Sequence, residues 1–363
     1  MSGILVVTAP NRRNLGMYSV DKAAISFFFQ VPDVSFSTLL DGYYRKAPYG
    51  NLPISDLPGS FDNFDMIVYW GDFTTSPWYG FKEYSYILAR RRRISRLTGI
   101  QPPRSFAFRK WEKSFSPLRV SGECHSVGQN FQIDCSGAEA ARFFRKQGFD
   151  AERHYKSFAS VLSRDSVSAS FQRKVRGQNE SHTCDLAFLG HTLKKRDSRN
   201  ARRIGLLLKR SELASATALT QLLHQEYTII DLSEWLSADP RNISGSYERT
   251  TDIISECDAV VTDVYHLSIN SLSLGVPVLC LGADDSSQVN AVSDFKKKVL
   301  FSDIGQSEAF IALESTDVSA DQLFEVIRNK LQGLEDFYNA AFWINLHCFV
   351  DESRTRIARM LGV

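Results

Sequence analysis

The sequence has no pair of cysteines in CxxC spacing. Its six cysteines, Cys124, Cys135, Cys184, Cys257, Cys280 and Cys348, are scattered through 363 residues. This excludes a structural zinc site of the ribbon type and argues against a disulfide framework, so the thiols are expected to be free and buried. Long apolar runs are also missing. No stretch approaches the ~20 residues that span a bilayer, and the apolar run near the start, Ile4, Leu5, Val6 and Val7, is too short for a signal segment. Charge of one sign is not in excess: 43 Lys and Arg against 41 Asp and Glu give a formal net charge of +2. No global field therefore draws the chain to nucleic acid or membrane. There is no GxGxxG turn and no Walker pattern, which removes nicotinamide and P-loop nucleotide readings. No His, Asp and Cys spacing resembles a metal site.

What is present is the composition of a globular α/β protein, 43% hydrophobic and 23% charged. The length calls for two domains. "GILVVTAP" reads as a buried first strand, and "NRRNLGMYSVDKAAISFFF" as a loop opening into a helix. "FDMIVYWGDF" reads as a strand over 66–70. "GFKEYSYILARRRRISRLTG" and "AEAARFFRKQGF" read as helices, and "FASVLSRDSVSASFQRKV" as strand, turn and helix. Polar residues dominate over 173–183, where the domain change is placed. Beyond it "CDLAFLG", "RIGLLLKRS" and "EYTIIDLS" read as strands, "ELASATALTQLLHQ" and "RTTDIISECD" as helices, and everything from Ser319 as mostly helical. The region 71–127 is the least legible. Strands alternating with helices of about ten residues argue for parallel sheets covered by helices.

The segment "DAVVTDVYHLSINSLSLGVPVLCLG" carries the most chemistry. A buried strand ends at Thr262, the chain turns through Asp263, Val264 and Tyr265, and His266 stands at the start of a helix that Gly275 ends. Ligands of such sheets bind beyond the carboxyl ends of the strands, where a helix start offers N–H groups and partial positive charge to an anion. An imidazole there is placed to exchange a proton near neutral pH; the alternative is a histidine that caps or packs.

This segment resembles the signature of the polysaccharide pyruvyl transferase family, in which a strand ends in Thr or Ser, an Arg-Leu-His-type triplet follows, and a small-residue helix leads to Gly-x-Pro. "VLSRDSVSASF" (161–171) is similar to the family's Arg-Asp-Ser segment, and "NLGMYSVDKAAISFF" to its N-terminal Asn-x-Gly turn and helix. Val264 stands where the family triplet begins with Arg, and Tyr265 where it has Leu, while His266 is kept. The resemblance implies transfer of pyruvate from phosphoenolpyruvate, as co-substrate and without a further cofactor, to sugar hydroxyls as a ketal. His266 would be the proton-transfer group and Arg164 the cation at the donor, bidentate guanidinium contacts being suited to carboxylate and phosphate. Asp263 and Tyr265, just before His266, and Asn14 in the first turn fall in the same expected site, the first two toward the donor and Asn14 toward the acceptor. The local alternative for Arg164 is an ion pair with Asp165 or another nearby acid.

Lys209 and Arg210, after "IGLLL", and His191, after "LAFLG", are strand-end candidates for the donor; as alternatives, the two cations are solvated and the histidine packs. "WGDFTTSPWYG" (70–80) offers Asp72, Trp78 and Tyr79 to a sugar acceptor, or is an aromatic packing loop. The run of Arg90, Arg91, Arg92, Arg93 and Arg96 fits an anionic lipid-linked sugar or a solvated helix face, and lacks the aromatic interleaving of single-strand binders, so no nucleic-acid partner is expected. The expectation is thus an α/β protein of two Rossmann-like domains, GT-B-like, with parallel sheets facing a central cleft. Residues 1–180 would form the acceptor side and residues 181–363 the donor side, with terminal helices packing back. The partners would be phosphoenolpyruvate and a sugar or lipid-linked oligosaccharide, and the location cytoplasmic, with peripheral contact to the inner membrane face. Two other readings stand beside it: a nucleotide-sugar glycosyltransferase of the same architecture, and a non-catalytic relative that binds a glycan.

Overall fold

The computed structural model describes residues 3–11, 13–38, 49–56, 58, 61–71, 99, 123–129, 156–177, 182–193, 201–209, 213–283, 294–313 and 318–363. They form two all-parallel sheets. The first has the strands β1 (Ile4–Thr8), β2 (Val34–Thr38), β3 (Ile54–Asp56), β4 (Met66–Trp70), β5 (Glu123–Gln129) and β6 (Ser160–Ser163), in the order β3-β2-β1-β4-β5-β6. The second has β7 (Arg203–Leu207), β8 (Thr228–Asp231), β9 (Ala259–Thr262), β10 (Val278–Ala283) and β11 (Phe310–Leu313), in the order β11-β10-β9-β7-β8. The expected α/β class with two parallel sheets is what the chain forms.

Central strands buried on both faces read as continuous apolar runs. Every residue of β9 is buried, as are Leu5, Val6, Val7 and Thr8 of β1. Each sheet reverses its direction of growth at one place, between β1 and β4 in the first and between β7 and β9 in the second. At those points the connecting helices diverge to opposite faces and leave a crevice at the strand ends. The helices that matter here are α1 (Leu15–Phe27), after β1; α2 (Ser166–Arg176), after β6; α3 (Ala216–Glu226), after β7; α4 (Ile243–Ser255), before β9; α5 (Tyr265–Ser273), after β9; and α6 (Phe295–Asp303), after β10. Three more, α7 (Ala320–Gln332), α8 (Leu334–Phe337) and α9 (Ala340–Leu361), end the chain.

Helix α1 belongs to the first sheet by connection but packs against elements of the second. The Tyr18 ring lies 5.2 Å from that of Tyr247 on α4, and the side-chain amide of Asn270 on α5 donates to Ser19 Oγ at 3.0 Å. One hydrophobic core therefore runs through both sheets. A second tie joins α2 to α6: the backbone N–H and the hydroxyl of Ser166 donate to the Asp303 carboxylate at 2.9 and 2.6 Å.

Four strands, β2, β3, β5 and β11, went unmarked in the sequence pattern. The segment "CDLAFLG" is not a strand but a 3-10 turn, Leu186–Gly190. It is an apolar run that periodicity alone cannot assign, and the Asp185 side chain caps it by accepting from the Ala187 N–H at 2.9 Å. After the Gly275 turn the next strand, β10, begins at Val278. Cys124, Cys184, Cys257 and Cys280 are free and buried as expected, whereas Cys348 lies on the exposed face of α9. Except for Gly99, the two helices expected in 80–99 and 138–149 lie outside the described residues, as does Cys135. Among the described residues no helix is long and apolar enough to cross a membrane.

Asp21 of α1 is wholly buried and accepts the Tyr49 hydroxyl at 2.9 Å. Burial pushes its carboxyl up to about 8, against the pull of the Tyr49 hydrogen bond. The folded chain thus holds a proton that the unfolded chain releases near the ordinary Asp value of about 3.9. The stabilisation is complete below that value and is lost as pH rises toward 8, at up to about 1.4 kcal/mol per pH unit. Asp21→Asn should flatten this slope and leave the variant more stable than the parent at pH 8, as read by urea unfolding at pH 5 and pH 8. Parallel pH profiles for the two proteins would count against a protonated Asp21.

Candidate functional site

Three strand-to-helix turns converge. The first follows β9. The Thr262 hydroxyl donates to Leu207 O at 2.8 Å and accepts the Val264 N–H at 3.1 Å, which fixes the exit of the strand. Val264 is then an extended N-cap residue with no side-chain acceptor, and α5 opens with Tyr265 and His266. The second turn follows β6, where Arg164 precedes Asp165. The Asp165 carboxylate caps α2 by accepting from the N–H and the hydroxyl of Ser168 at 2.7 and 2.8 Å. The third follows β1, where Asn14 Oδ1 accepts the Gly16 N–H at 3.0 Å at the start of α1.

Between these turns sits Asp185, at the head of the 3-10 segment. One of its oxygens, Oδ2, lies 3.6 Å from Arg164 Nη1 and 3.8 Å from His266 Nε2. Arg164 Nε is 3.7 Å from Asp165 Oδ2 on its other side. The Arg164 and Asp185 side chains are each 4% exposed, whereas that of His266 keeps 18%. The Tyr265 ring lies under the Arg164 guanidinium at 4.9 Å and has Lys296 Nζ 5.1 Å from its centre. Burial raises the Tyr265 phenol well above its ordinary value, so the ring is neutral; Arg164 pulls the other way. Burial likewise raises the Asp165 carboxyl, with Arg164 and the Ser168 hydrogen bonds opposing.

The first turn packs directly on the histidine. A Cβ added at Gly16 would stand 2.5 Å from His266 Cβ and 2.8 Å from Nδ1. Both Cβ positions are anchored to backbone, so neither can swing away. Gly16→Ala should therefore push α1 off α5 and cost about 1–3 kcal/mol, the usual range for overpacking. Urea unfolding checks this, and an unchanged midpoint would mean that the two helices do not meet here.

Of the candidates named from sequence, the structure brings together Arg164, Tyr265 and His266. Asn14 stands at the edge of the same cluster as a helix cap. Asp263, 1% exposed, accepts the Lys209 backbone N–H at 2.9 Å, so its carboxylate ties the exits of β7 and β9 together. Lys209 is exposed beyond β7. His191 is not at a strand end: it follows the 3-10 segment, with Nε2 2.6 Å from the Tyr247 hydroxyl and 3.0 Å from Asn270 Oδ1. It belongs to a polar junction behind the site, in which Asn270 also donates to His266 O at 2.8 Å. Arg210, Asp72, Trp78 and Tyr79 lie outside the described residues.

Sequence reasoning missed Asp185 as a member of the site. The available signal was an acid immediately before an apolar run, which marks a helical N-cap. Among the described residues no group of three His, Cys, Asp or Glu side chains is arranged to hold a metal ion.

A family model described as polysaccharide pyruvyl transferase matches residues 102–285, half of the chain, spanning both Arg164 and His266. No curated protein matches the sequence. Among solved structures, a Listeria monocytogenes protein described as a UDP-N-acetylglucosamine 2-epimerase is similar over 100% of this chain and 98% of its own, with 9% identity and a TM-score of 0.51. The glycosyltransferase SnogD from Streptomyces nogalater covers 100% and is covered to 99%, with 13% identity and a TM-score of 0.46. The first likeness speaks for fold alone and agrees with a GT-B-like arrangement of two parallel sheets. The chain belongs to the polysaccharide pyruvyl transferase family.

Proposed function

We propose that the protein transfers pyruvate from phosphoenolpyruvate to a pair of hydroxyl groups on a cell-surface glycan or its lipid-linked precursor, as a ketal. The observation that carries this reading is His266, at the first turn of a helix beyond a switch-point strand, partly accessible and 3.8 Å from a buried carboxylate that also holds Arg164.

In this reading His266 gives its proton to the methylene carbon of the donor. The central carbon becomes oxocarbenium-like, one sugar hydroxyl attacks it, the phosphate leaves with its bridging oxygen, and the second hydroxyl closes the ketal. Of the two hydroxyl protons, one returns to the base and one leaves with phosphate. The charges of the cluster bear on donor binding. Arg164 and a protonated His266 balance Asp165 and Asp185, whereas a neutral His266 leaves the four groups net negative. An anionic donor therefore binds better to the protonated form, which is the form that the chemistry uses. Lys209 and Arg210, with the N–H groups opening α5, would supply cationic and dipolar contacts to the phosphate and carboxylate. Residues 1–180 would present the acceptor through Asn14, Asp72, Trp78 and Tyr79.

The test is incubation with phosphoenolpyruvate and glycan acceptors carrying paired free hydroxyls, following phosphate release and ketal formation by mass spectrometry. Phosphate release that requires the acceptor is the expected result. Transfer from nucleotide sugars with none from phosphoenolpyruvate would replace this reading with a glycosyltransferase. Glycan binding without turnover of either donor would make the chain a binding protein.

A further inference from the structure

We propose that Asp185 is the positioning residue of this site: its carboxylate stabilises the protonated imidazole of His266 and fixes the ring against the β6–α2 turn. The inference deepens the pyruvyl-transfer reading, and only its turnover arm rests on that reading.

Asp185 does more than a cap requires. An N-cap needs only an acceptor, and Asn or Ser would serve as well. A carboxylate left only 4% exposed costs stability unless cations face it. Here Oδ1 accepts the Ala187 N–H at 2.9 Å, the Tyr265 phenol hydrogen-bonds to the carboxylate, and Oδ2 faces two cationic groups, Arg164 Nη1 at 3.6 Å and His266 Nε2 at 3.8 Å. The separation from Nε2 is an ion-pair distance, so the carboxylate acts on the ring by charge. Asp165 approaches Arg164 from the other side, at 3.7 Å. The guanidinium is thereby shared between two acids, and Asp185 keeps net negative character toward the imidazole.

Among the described residues, Tyr265, Gly16, Asn14, Arg164 and Asp165 around the ring do not supply that charge. From its own helix His266 meets Tyr265, a neutral phenol, at a ring separation of 5.2 Å. From α1 it meets Gly16, which has no side chain and whose N–H is capped by the neutral amide of Asn14. From the β6–α2 turn the charged groups are Arg164, which opposes protonation of the ring, and Asp165, which faces Arg164. The N-terminus of α5 also opposes it. Among the described residues, Asp185 is the acid that faces Nε2.

The position is rigid as well as charged. The 3-10 segment that carries Asp185 has Leu186, Ala187, Phe188 and Leu189 fully buried beneath α1. Gly190 is pressed so close to α1 that an added Cβ would touch Ala23 Cβ at 3.3 Å. Asp185 therefore cannot follow a displaced histidine, and the ring is held to the carboxylate instead.

The experiment uses the full chain with isotopically labelled histidine, following the His266 imidazole by NMR from pH 5 to 9 and assigning it with His266→Gln. In Asp185→Asn, which keeps the acceptor for Ala187, the His266 midpoint is expected to fall by about one to two pH units, the effect of an opposite charge at this distance. With phosphoenolpyruvate and acceptor, kcat at pH 7.5 should fall by about tenfold or more, recover as pH is lowered, and leave the donor KM within about threefold. A midpoint within about 0.2 units of the parent overturns the proposal, whatever the activity. If the chain turns over no phosphoenolpyruvate at all, the midpoint shift still reads the pair, so failure of the functional reading is told apart from failure of this one. Should Asp185→Asn not fold, Asp185→Glu carries the test, because it keeps the charge on a longer arm. Midpoint and kcat must then move together or stay together, and turnover lost with an unmoved midpoint overturns the proposal.

Discussion

His266→Gln is expected to lower turnover by about 10²-fold or more while changing donor affinity only a few-fold. Removing a general acid or base typically costs 10²–10⁴-fold. Glutamine keeps a polar group of similar reach at the start of α5 but cannot carry a transferable proton. Because His266 keeps 18% exposure on a helix otherwise buried over most of its length, the substitution should leave the packing of α5 intact. A loss confined to kcat marks a group that acts in the transition state, whereas a rise in KM alone would mark a binding group. Steady-state kinetics across pH 6–9 decides between them. A rate within a few-fold of the parent, with a folded variant, would remove His266 from the chemistry.

Arg164→Ala is expected to have its largest effect on stability. The guanidinium lies between Asp165 and Asp185, both buried, and its loss takes from Asp165 the cation that faces it and from Asp185 one of its two cationic neighbours. Breaking a buried ion pair from one side costs about 3–5 kcal/mol. The loss should shrink at low pH. Burial has already raised the Asp165 carboxyl, and removing Arg164 raises it further, so protonation relieves the variant at pH 5 more than at pH 8. Adding Asp185→Asn to Arg164→Ala should recover part of the lost stability, because it removes one of the two buried charges. Denaturant unfolding of the two single variants and the double variant gives the coupling directly. Additive losses would mean that the three side chains do not form one electrostatic unit. Donor affinity is better measured in Arg164→Lys, which keeps a cation between the acids.

The parts of the fold legible in the sequence are those fixed by local pattern. The buried runs around Val6, Val68, Leu206 and Val261 announce central strands, because a strand covered on both faces is apolar at every position. The helices after β1, β6 and β9 announce themselves by their caps, Asn14 and Asp165, and by the Gly275 turn. β5 was not legible. Its sequence, ECHSVGQ, is polar, and it is stable between β4 and β6 because neighbours cover His125 and Ser126 and the imidazole Nδ1 meets Ser160 Oγ at 2.6 Å. β3 is a three-residue edge strand, β2 beside it has partly exposed residues, and β11, at the edge of the second sheet, has only four residues. Such strands are specified by their partners more than by their own composition.

The site divides in the same way. His266 at a helix start and Arg164 before an N-capping Asp are consequences of nearby residues, and the sequence alone placed both at strand ends. It could not show that they share a carboxylate, because Asp185 lies between them in the chain on a segment whose apolar run fits strand or helical turn equally well. Nor could it show that Gly16 abuts His266. That contact exists because the switch points of two separate sheets face each other, and strand order is set by long-range pairing and burial. The sequence determined which groups can carry charge and protons and which element each begins. The tertiary structure decided which charges meet, because interaction energies depend on separations of a few ångströms across a low-dielectric interior that no local pattern encodes.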